Sequence, residues 1–102
     1  MSGVWLPGSL LLLDDAPRPW RPRSMSDLTS EDFDPVIKAG VEISEFVLLG
    51  TGPTQALPSP DVRSALRRAG LGLEFMSTPA AARTYGVLIS EGRRVAVALI
   101  TI

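Results

Sequence analysis

The residues best suited to binding a ligand lie in the segment Phe46–Gly52, which reads FVLLGTG. An apolar run of strand length ends at Gly50, Thr51 and Gly52, and a helix start follows at Ser59. Open α/β sheets present their crevices at the carboxyl ends of strands, where free backbone amides can bind an anion. The segment lacks the third glycine of a dinucleotide fingerprint and the lysine of a P-loop. Two interpretations stay open: a small-ligand or anion site, or glycines that let a buried strand turn sharply.

A second group of polar side chains follows in the sequence TPAAARTY, at Thr78, Arg83 and Tyr85. Arg83 can pair with a carboxylate or phosphate of a ligand or partner protein. Equally, Thr78 can cap a helix, and Tyr85 can lie at the core edge with its hydroxyl hydrogen-bonded. Glu91 and Arg93 stand in the next turn, where a surface ion pair contributes little. The candidate ligand- or partner-binding residues are therefore Gly50, Thr51, Gly52, Thr78, Arg83, Tyr85, Glu91 and Arg93.

The side chains that most enzymes use are missing from this chain. It has no Cys and no His, which excludes disulfides, thiolate chemistry and the commonest general base and metal ligand. A serine nucleophile would then need a lysine, and the single lysine, Lys38, is not tied to any serine by the sequence. The sequence therefore predicts no catalytic residue, no metal site and no cofactor, and hence a protein that is not an enzyme.

Size and charge indicate one globular domain. The chain has 102 residues, 45% of them hydrophobic, and a net charge of -1 without a basic stripe, so no nucleic-acid partner is predicted. The longest apolar stretch, Val95–Ile100, is far below the ~20 residues of a membrane helix. No basic residue precedes the first apolar run, as a signal peptide would require. We expect a single domain over 1–102 that does not insert into membranes and lies in the cytoplasm.

The early part of the chain is predicted to contain a Pro/Arg-rich loop, 14–27, after a short N-terminal segment, 1–7. Three arginines flank Trp20 in the sequence PRPWRPR. Prolines favour extended backbone. This loop is expected to be solvated, with Trp20 covering the edge of the core.

The remaining elements alternate between strands and helices. Helices are predicted to end at Gly40, to start at Ser59 and to open at Thr78, and Thr29 with Asp32 fits a capping box. Gly86, inside the last helix, indicates close approach to a neighbouring backbone. Strands are predicted at 8–13, 41–49, 71–76 and 95–102. This β-α-β-α-β-α-β order predicts an α/β fold with a largely parallel sheet.

Two blocks of the sequence together resemble a known family. They are FVLLGTG with the following LRRAGLGLEFMST, and TPAAARTYGVLISEGRRVAVALI. The family comprises small domains of unknown function in bacteria and archaea. In eukaryotes it includes the mitochondrial complex I (NADH dehydrogenase) assembly factor 3 and an adipogenesis-associated protein. The resemblance covers Gly8–Ile100 and identifies the chain as a bacterial member. The residues that match its motifs are Gly50, Thr51, Gly52, Thr78, Ala81, Arg83, Thr84, Tyr85, Glu91, Gly92 and Arg93.

The resemblance implies a three-layer β/β/α fold with a mixed central sheet and about three helices. It also implies a non-enzymatic protein-interaction or assembly-accessory module with a protein partner. Many members carry Cys where this chain has Ala82 and Asn where it has Gly86, which favours packing roles for both positions. Many also carry an additional strand or hairpin before the region matching Gly8, so the arrangement of the sheet edge and self-association into a homo-oligomer stay open. The alternative function is a small-ligand or anion binder that uses the Gly50–Gly52 loop and Arg83, with a weak enzymatic activity left open.

Overall fold

The computed structural model describes residues 8–14 and 16–102. The predicted N-terminal segment 1–7 and Asp15 lie outside the described residues. Two 3₁₀ turns, Met25–Asp27 and Ser30–Phe33, precede the first α-helix. The strands and α-helices are β1 (Ser9–Leu13), β2 (Ala16–Trp20), α1 (Asp34–Ala39), β3 (Phe46–Gly50), α2 (Pro60–Arg68), β4 (Gly72–Met76), α3 (Thr78–Ser90) and β5 (Val95–Leu99).

The described residues form a five-stranded mixed sheet of order β2-β1-β5-β3-β4. β3 pairs in parallel with β4 and with β5, whereas β1 pairs antiparallel with β2 and with β5. The predicted α/β fold with a mixed sheet and three helices is confirmed. Two of the four pairings are antiparallel, because β1 and β2 form a hairpin and β1 lies beside β5. Within residues 8–14 and 16–102 the strands belong to this one sheet, and helices cover both of its faces.

β2 occupies part of the segment 14–27, which was predicted to be a loop, and that prediction is wrong for Ala16–Trp20. The strand carries Pro17 and Pro19, opposite Leu12 and Leu10 of β1. Proline is tolerated in a sheet only where its missing N–H faces away from the neighbouring strand. Both prolines fall on alternate positions of an edge strand, so the ladder to β1 forms through the residues between them.

Side chains on both faces of the sheet are buried, which explains the continuous apolar runs. In β1, Leu11 and Leu13 pack in one cluster, with Phe33 of the second 3₁₀ turn and Leu66 of α2. The alternate residues of β1 lie in a second cluster, on the opposite face, together with Ala81 of α3. A strand covered by helices on both sides needs apolar side chains at every position. The prediction that β1 is covered on both faces is confirmed.

Three local predictions are corrected by the structure. The segment 41–45 is turn rather than strand, and β3 starts at Phe46. Ser77, not Thr78, caps α3, because its side chain accepts a hydrogen bond from Ala80 N–H. Gly86 is exposed, and a Cβ added there would meet no described atom beyond its own helix within 4 Å, so the predicted close approach of a neighbouring backbone is wrong for residues 8–14 and 16–102.

Other local predictions are confirmed. Thr29 and Asp32 form the capping box, and Ser59 accepts a hydrogen bond from Val62 N–H at the start of α2. None of the helices formed by residues 8–14 and 16–102 combines the length and apolarity needed to cross a membrane.

Candidate functional site

The Gly50–Gly52 loop closes the carboxyl end of the central parallel strands. Thr51 N–H donates to Met76 O at 2.8 Å, extending the β3–β4 ladder by one residue beyond β3. The Thr51 hydroxyl lies within hydrogen-bond distance of two carbonyl oxygens to which it can donate, Thr54 O at 2.7 Å and Met76 O at 3.1 Å. It also accepts a hydrogen bond from Ala56 N–H at 3.1 Å. Thr51 is 5% exposed. Its polar groups therefore fix the path of the loop toward α2.

Thr78 joins this loop to the end of β5. Its hydroxyl accepts a hydrogen bond from Gly52 N–H at 2.9 Å and donates one to Ile100 O at 2.7 Å. Thr78 N–H in turn donates to Gly52 O at 2.8 Å. One buried side chain thus connects three segments that are far apart in the sequence. The structure brings four of the predicted site residues together here: Gly50, Thr51, Gly52 and Thr78.

Gly50 has no room for a side chain. A Cβ placed on it would lie 2.9 Å from Thr78 Cα, Thr78 Oγ1 and Leu99 Cδ2. Gly52 has a φ of +105°, which residues with a Cβ rarely adopt. The first glycine therefore allows close approach of α3, and the second allows the reversal of the chain.

The amides of this loop point into the protein rather than toward solvent. Thr51 N–H and Gly52 N–H are both occupied by internal acceptors, and both residues are buried. An anion site made from backbone amides needs those donors free. Of the two interpretations of the GTG sequence, the geometry favours a tight, glycine-dependent packing junction.

Arg83 and Tyr85 lie further along α3, away from the loop. Arg83 is exposed and forms no ion pair with another described residue. Tyr85 is half-buried and packs against the cluster under α3, next to Leu88. Thr84 lies between them and donates from its hydroxyl to Met76 Sδ at 3.4 Å. Arg83 of α3 thus faces solvent, whereas Thr84 and Tyr85 contact the rest of the protein.

The last two predicted site residues lie at the opposite end of the sheet. Arg93 contacts the amino end of β3, with its guanidinium carbon 5.5 Å from the ring centre of Phe46 and its Nε 3.7 Å from Glu45 Oε2. Glu91 is exposed, so the expected partner of Arg93 is replaced by Glu45. A five-residue strand separates this end from the Gly50 loop by about 13 Å. The eight residues therefore do not converge on one site.

A charged cluster that the sequence did not reveal surrounds Arg21. Its guanidinium pairs with Asp27 Oδ1 at 3.0 Å and with Asp32 Oδ2 at 2.7 Å, and it also donates to the Asp27 carbonyl. The bond from Arg21 holds the pKa of the Asp32 carboxyl below its usual range, and hydrogen bonds from Thr29 add to this effect against partial burial. Arg21, followed by the Arg23 N–H, likewise lowers the pKa of Asp27.

Trp20 lies beside this cluster and confirms the expected cover of the core edge. Its indole N–H donates to Asp32 O at 2.9 Å, and its ring meets Phe33 edge-on with centroids 5.4 Å apart. The cluster therefore ties β2 to the 3₁₀ turn before α1. Only the three-dimensional path of the chain brings Arg21 to Asp32, eleven residues away.

A second feature missed from the sequence is an open groove between α2 and the edge strand β4. Its volume is about 290 Å³, and it is lined by Arg63, Arg67, Leu71, Leu73 and Phe75. Two signals were present in the sequence. The arginines are four residues apart on a helix, and the apolar residues alternate along an extended segment, so each set lies on one face.

The described residues contain no cluster of three or more His, Cys, Asp or Glu side chains placed to hold a metal ion. The described residues form the hydrogen-bonded junction at Thr78, the ion pairs of Arg21 and the groove beside β4.

Comparison with known proteins places the chain in a family. The family model described as "Protein of unknown function (DUF498/DUF598)" matches residues 1–100. The chain belongs to this family. The resemblance noted in the sequence is thereby confirmed, and it extends over nearly the whole chain.

Two curated proteins share about a third of their aligned residues with this chain. The Bos taurus protein named NADH dehydrogenase [ubiquinone] 1 alpha subcomplex assembly factor 3 is 34% identical over 93 residues, covering 91% of the chain and 50% of that protein. The Francisella tularensis subsp. holarctica "13 kDa major membrane protein" is 36% identical over 56 residues, covering 55% of the chain and 46% of that protein. The chain thus spans about half the length of each of these relatives.

A solved structure of a related protein has the same fold. The NMR structure of a Xanthomonas campestris protein superposes with a TM-score of 0.79 at 44% sequence identity, covering 93% of this chain and 70% of that one. The α/β arrangement described above is therefore shared with this related protein.

Proposed function

We propose that this chain is a non-enzymatic protein-interaction module that assists assembly of a larger complex. The observation that carries the proposal is the 34% identity, over 91% of the chain, to a protein named as an assembly factor. That relative is about twice as long as the aligned region, so the proposal concerns the shared domain.

The geometry supports a role carried by surfaces. The motif residues of the Gly50–Gly52 loop and Thr78 bond to one another inside the fold, which explains their presence by folding alone. Charged and apolar side chains remain at the surface, including Arg83 and the groove beside β4. Such surfaces serve contacts with another protein.

The proposal is tested by affinity isolation of the full chain, expressed at native level with a C-terminal tag, from a lysate prepared under mild conditions. We expect one protein to be recovered in stoichiometric amount and to rebind the purified chain with a Kd in the micromolar range or tighter. Thermal-shift screening against phosphate, nucleotides and small carboxylates serves as the counter-test. A ligand at one hundred times its Kd would add about 2.7 kcal/mol of stability. Such a shift, together with failure to recover a partner, would overturn the proposal.

We also propose a cytoplasmic location in a bacterial cell. One relative is named as a major membrane protein, so the measurement asks whether this chain sediments with membranes or stays free in the supernatant. Fractionation should leave most of the chain in the supernatant after high-speed centrifugation. Recovery mainly in the membrane pellet, resistant to alkaline carbonate, would contradict this location.

A further inference from the structure

The two edges of the sheet differ in their capacity to accept another strand. At one edge, Pro17 and Pro19 of β2 lie opposite Leu12 and Leu10 of β1 and leave no N–H donors on the outer side. Prolines on an edge strand prevent pairing with a further chain. The opposite edge, β4, carries no proline.

The hydrogen bonds of β4 show which of its backbone groups face outward. Thr51 N–H donates to Met76 O, so the even-numbered residues of β4 bond to β3 in the regular alternation of a parallel ladder. The backbone groups of Leu73 and Phe75 therefore point away from the sheet. Consistent with this, Phe75 O accepts a bond from the exposed Gln55 side chain at 3.3 Å. The N–H and C=O of Leu73 form no hydrogen bond with another described residue.

The groove next to this edge supplies side-chain recognition. Leu73 and Phe75 are half-buried apolar side chains on the α2 face of β4. Arg63 and Arg67 stand above them on α2, and Arg67 is exposed without an ion pair among the described residues. A strand added beside β4 would direct every second side chain into this groove. Apolar side chains there would meet Leu73 and Phe75, and acidic ones would meet the arginines.

We propose that β4 binds an extended segment of a partner protein as a sixth strand, with acidic and apolar side chains alternating on the face toward α2. This inference rests on the proposed function, since it names the surface and the partner chemistry of an interaction module. Addition of a strand to an exposed sheet edge is a recurrent mode of peptide recognition, in which the main chain gives affinity and the side chains give specificity.

Charge distinguishes this occupant from a second copy of the chain. Antiparallel pairing of two β4 strands centred on Glu74 would place the two Glu74 carboxylates opposite each other. The same pairing would bring the Arg63 and Arg67 rows of both copies onto one face. Like charges directly opposite each other in a sheet destabilise pairing. An acidic partner segment would instead place negative side chains beside Arg63 and Arg67, so the repulsion between two rows of arginines would not arise.

The test measures binding of fluorescein-labelled decapeptides to the full chain by fluorescence anisotropy. The probe ETVTETVTET places Glu and Val alternately on one face of a strand and Thr on the other, and KTVTKTVTKT reverses its charge. We expect the acidic probe to bind and the basic probe to bind at least tenfold more weakly. Arg67→Glu should weaken the acidic probe about tenfold, which corresponds to about 1.4 kcal/mol. Arg68→Glu, the same charge change on α2 outside the groove, should change it less than twofold.

A backbone variant tests strand addition separately from charge. Leu73→Pro removes an outward N–H together with the Leu73 side chain of the groove, so it is compared with Leu73→Ala, which removes the same side chain and keeps the N–H. Probe binding should be lost in Leu73→Pro and only weakened in Leu73→Ala, while both variants keep the circular dichroism spectrum of the wild type. Equal binding of both probes, or wild-type affinity in Arg67→Glu and Leu73→Pro, would overturn the inference. So would a dimer of the wild type that Leu73→Pro abolishes, because the edge would then be taken by a second copy. If the partner isolated from lysate binds Leu73→Pro normally, the inference fails while the proposed function stands; if no partner is found, the proposed function fails.

Discussion

The Thr78 hydroxyl is the point at which three distant segments meet. It accepts from Gly52 N–H and donates to Ile100 O in a region closed to solvent. The N-cap is the residue just before the first helical position, and Ser77 holds that place in α3. The hydroxyl therefore joins the Gly50–Gly52 loop to the end of β5, and it stabilises the tertiary structure rather than the helix itself.

Replacing Thr78 with Val should destabilise the fold by about 2–4 kcal/mol, because Gly52 N–H and Ile100 C=O would both lose a buried partner. Urea unfolding followed by tryptophan fluorescence gives this difference. Thr78→Ser keeps the hydroxyl and should retain most of the stability, which separates the hydrogen bonds from the methyl contact. A Val variant within 0.5 kcal/mol of the wild type would show that the two bonds contribute nothing net.

At the scale of elements, local patterns in the sequence were sufficient for α1, α2 and α3. Capping residues such as Ser59 and glycines such as Gly40 mark helix ends by local chemistry, so their effect can be read from neighbouring residues. β2 could not be found this way, because its prolines weaken any strand pattern and its pairing depends on β1. The sequence also could not show that the eight predicted site residues lie at two ends of the sheet. Gly50 and Arg93 lie at opposite ends of parallel strands, which only the sheet order determines.

The Arg21 cluster couples two elements and makes stability depend on pH. The pKa of Asp32 is lowered in the folded state, chiefly by the bond from Arg21. A group with a depressed folded pKa stabilises the fold above its unfolded pKa, near 3.9, and loses this contribution as the pH falls through its folded pKa. The connection between β2 and the 3₁₀ turn should therefore weaken in acid.

Asp32→Asn should reduce stability at pH 7 by about 1 kcal/mol through the weakened capping box. The difference from the wild type should narrow as the pH falls below about 4, since the wild-type carboxylate is then protonated. Urea unfolding at a series of pH values measures both effects. The matched variant Asp34→Asn removes the same charge from an exposed carboxylate outside the Arg21 cluster and serves as the control. Parallel curves for Asp32→Asn and the wild type would contradict the assigned role of the Arg21 bond.

For the molecule as a whole, the two edges of the sheet decide how it can associate. Both edges belong to one continuous sheet, so an added strand at either end would extend the same hydrogen-bonded ladder. Pro17 and Pro19 block one end by withholding donors, and the proposed partner strand occupies the other. This asymmetry would allow binding at β4 without uncontrolled growth of the sheet.

Replacing both Pro17 and Pro19 with Val should open the second edge. Valine restores the outward N–H groups and has high strand propensity, so the hairpin keeps its pairing with β1 while its outer side becomes able to pair. We expect the double variant to form dimers or larger species at concentrations where the wild type shows none at this edge, measured by size-exclusion chromatography with light scattering. Replacing the same two residues with Lys restores the N–H groups but adds edge charges, and it should suppress association. A Val variant whose association matches that of the wild type at every concentration would show that β2 is protected by something other than its prolines.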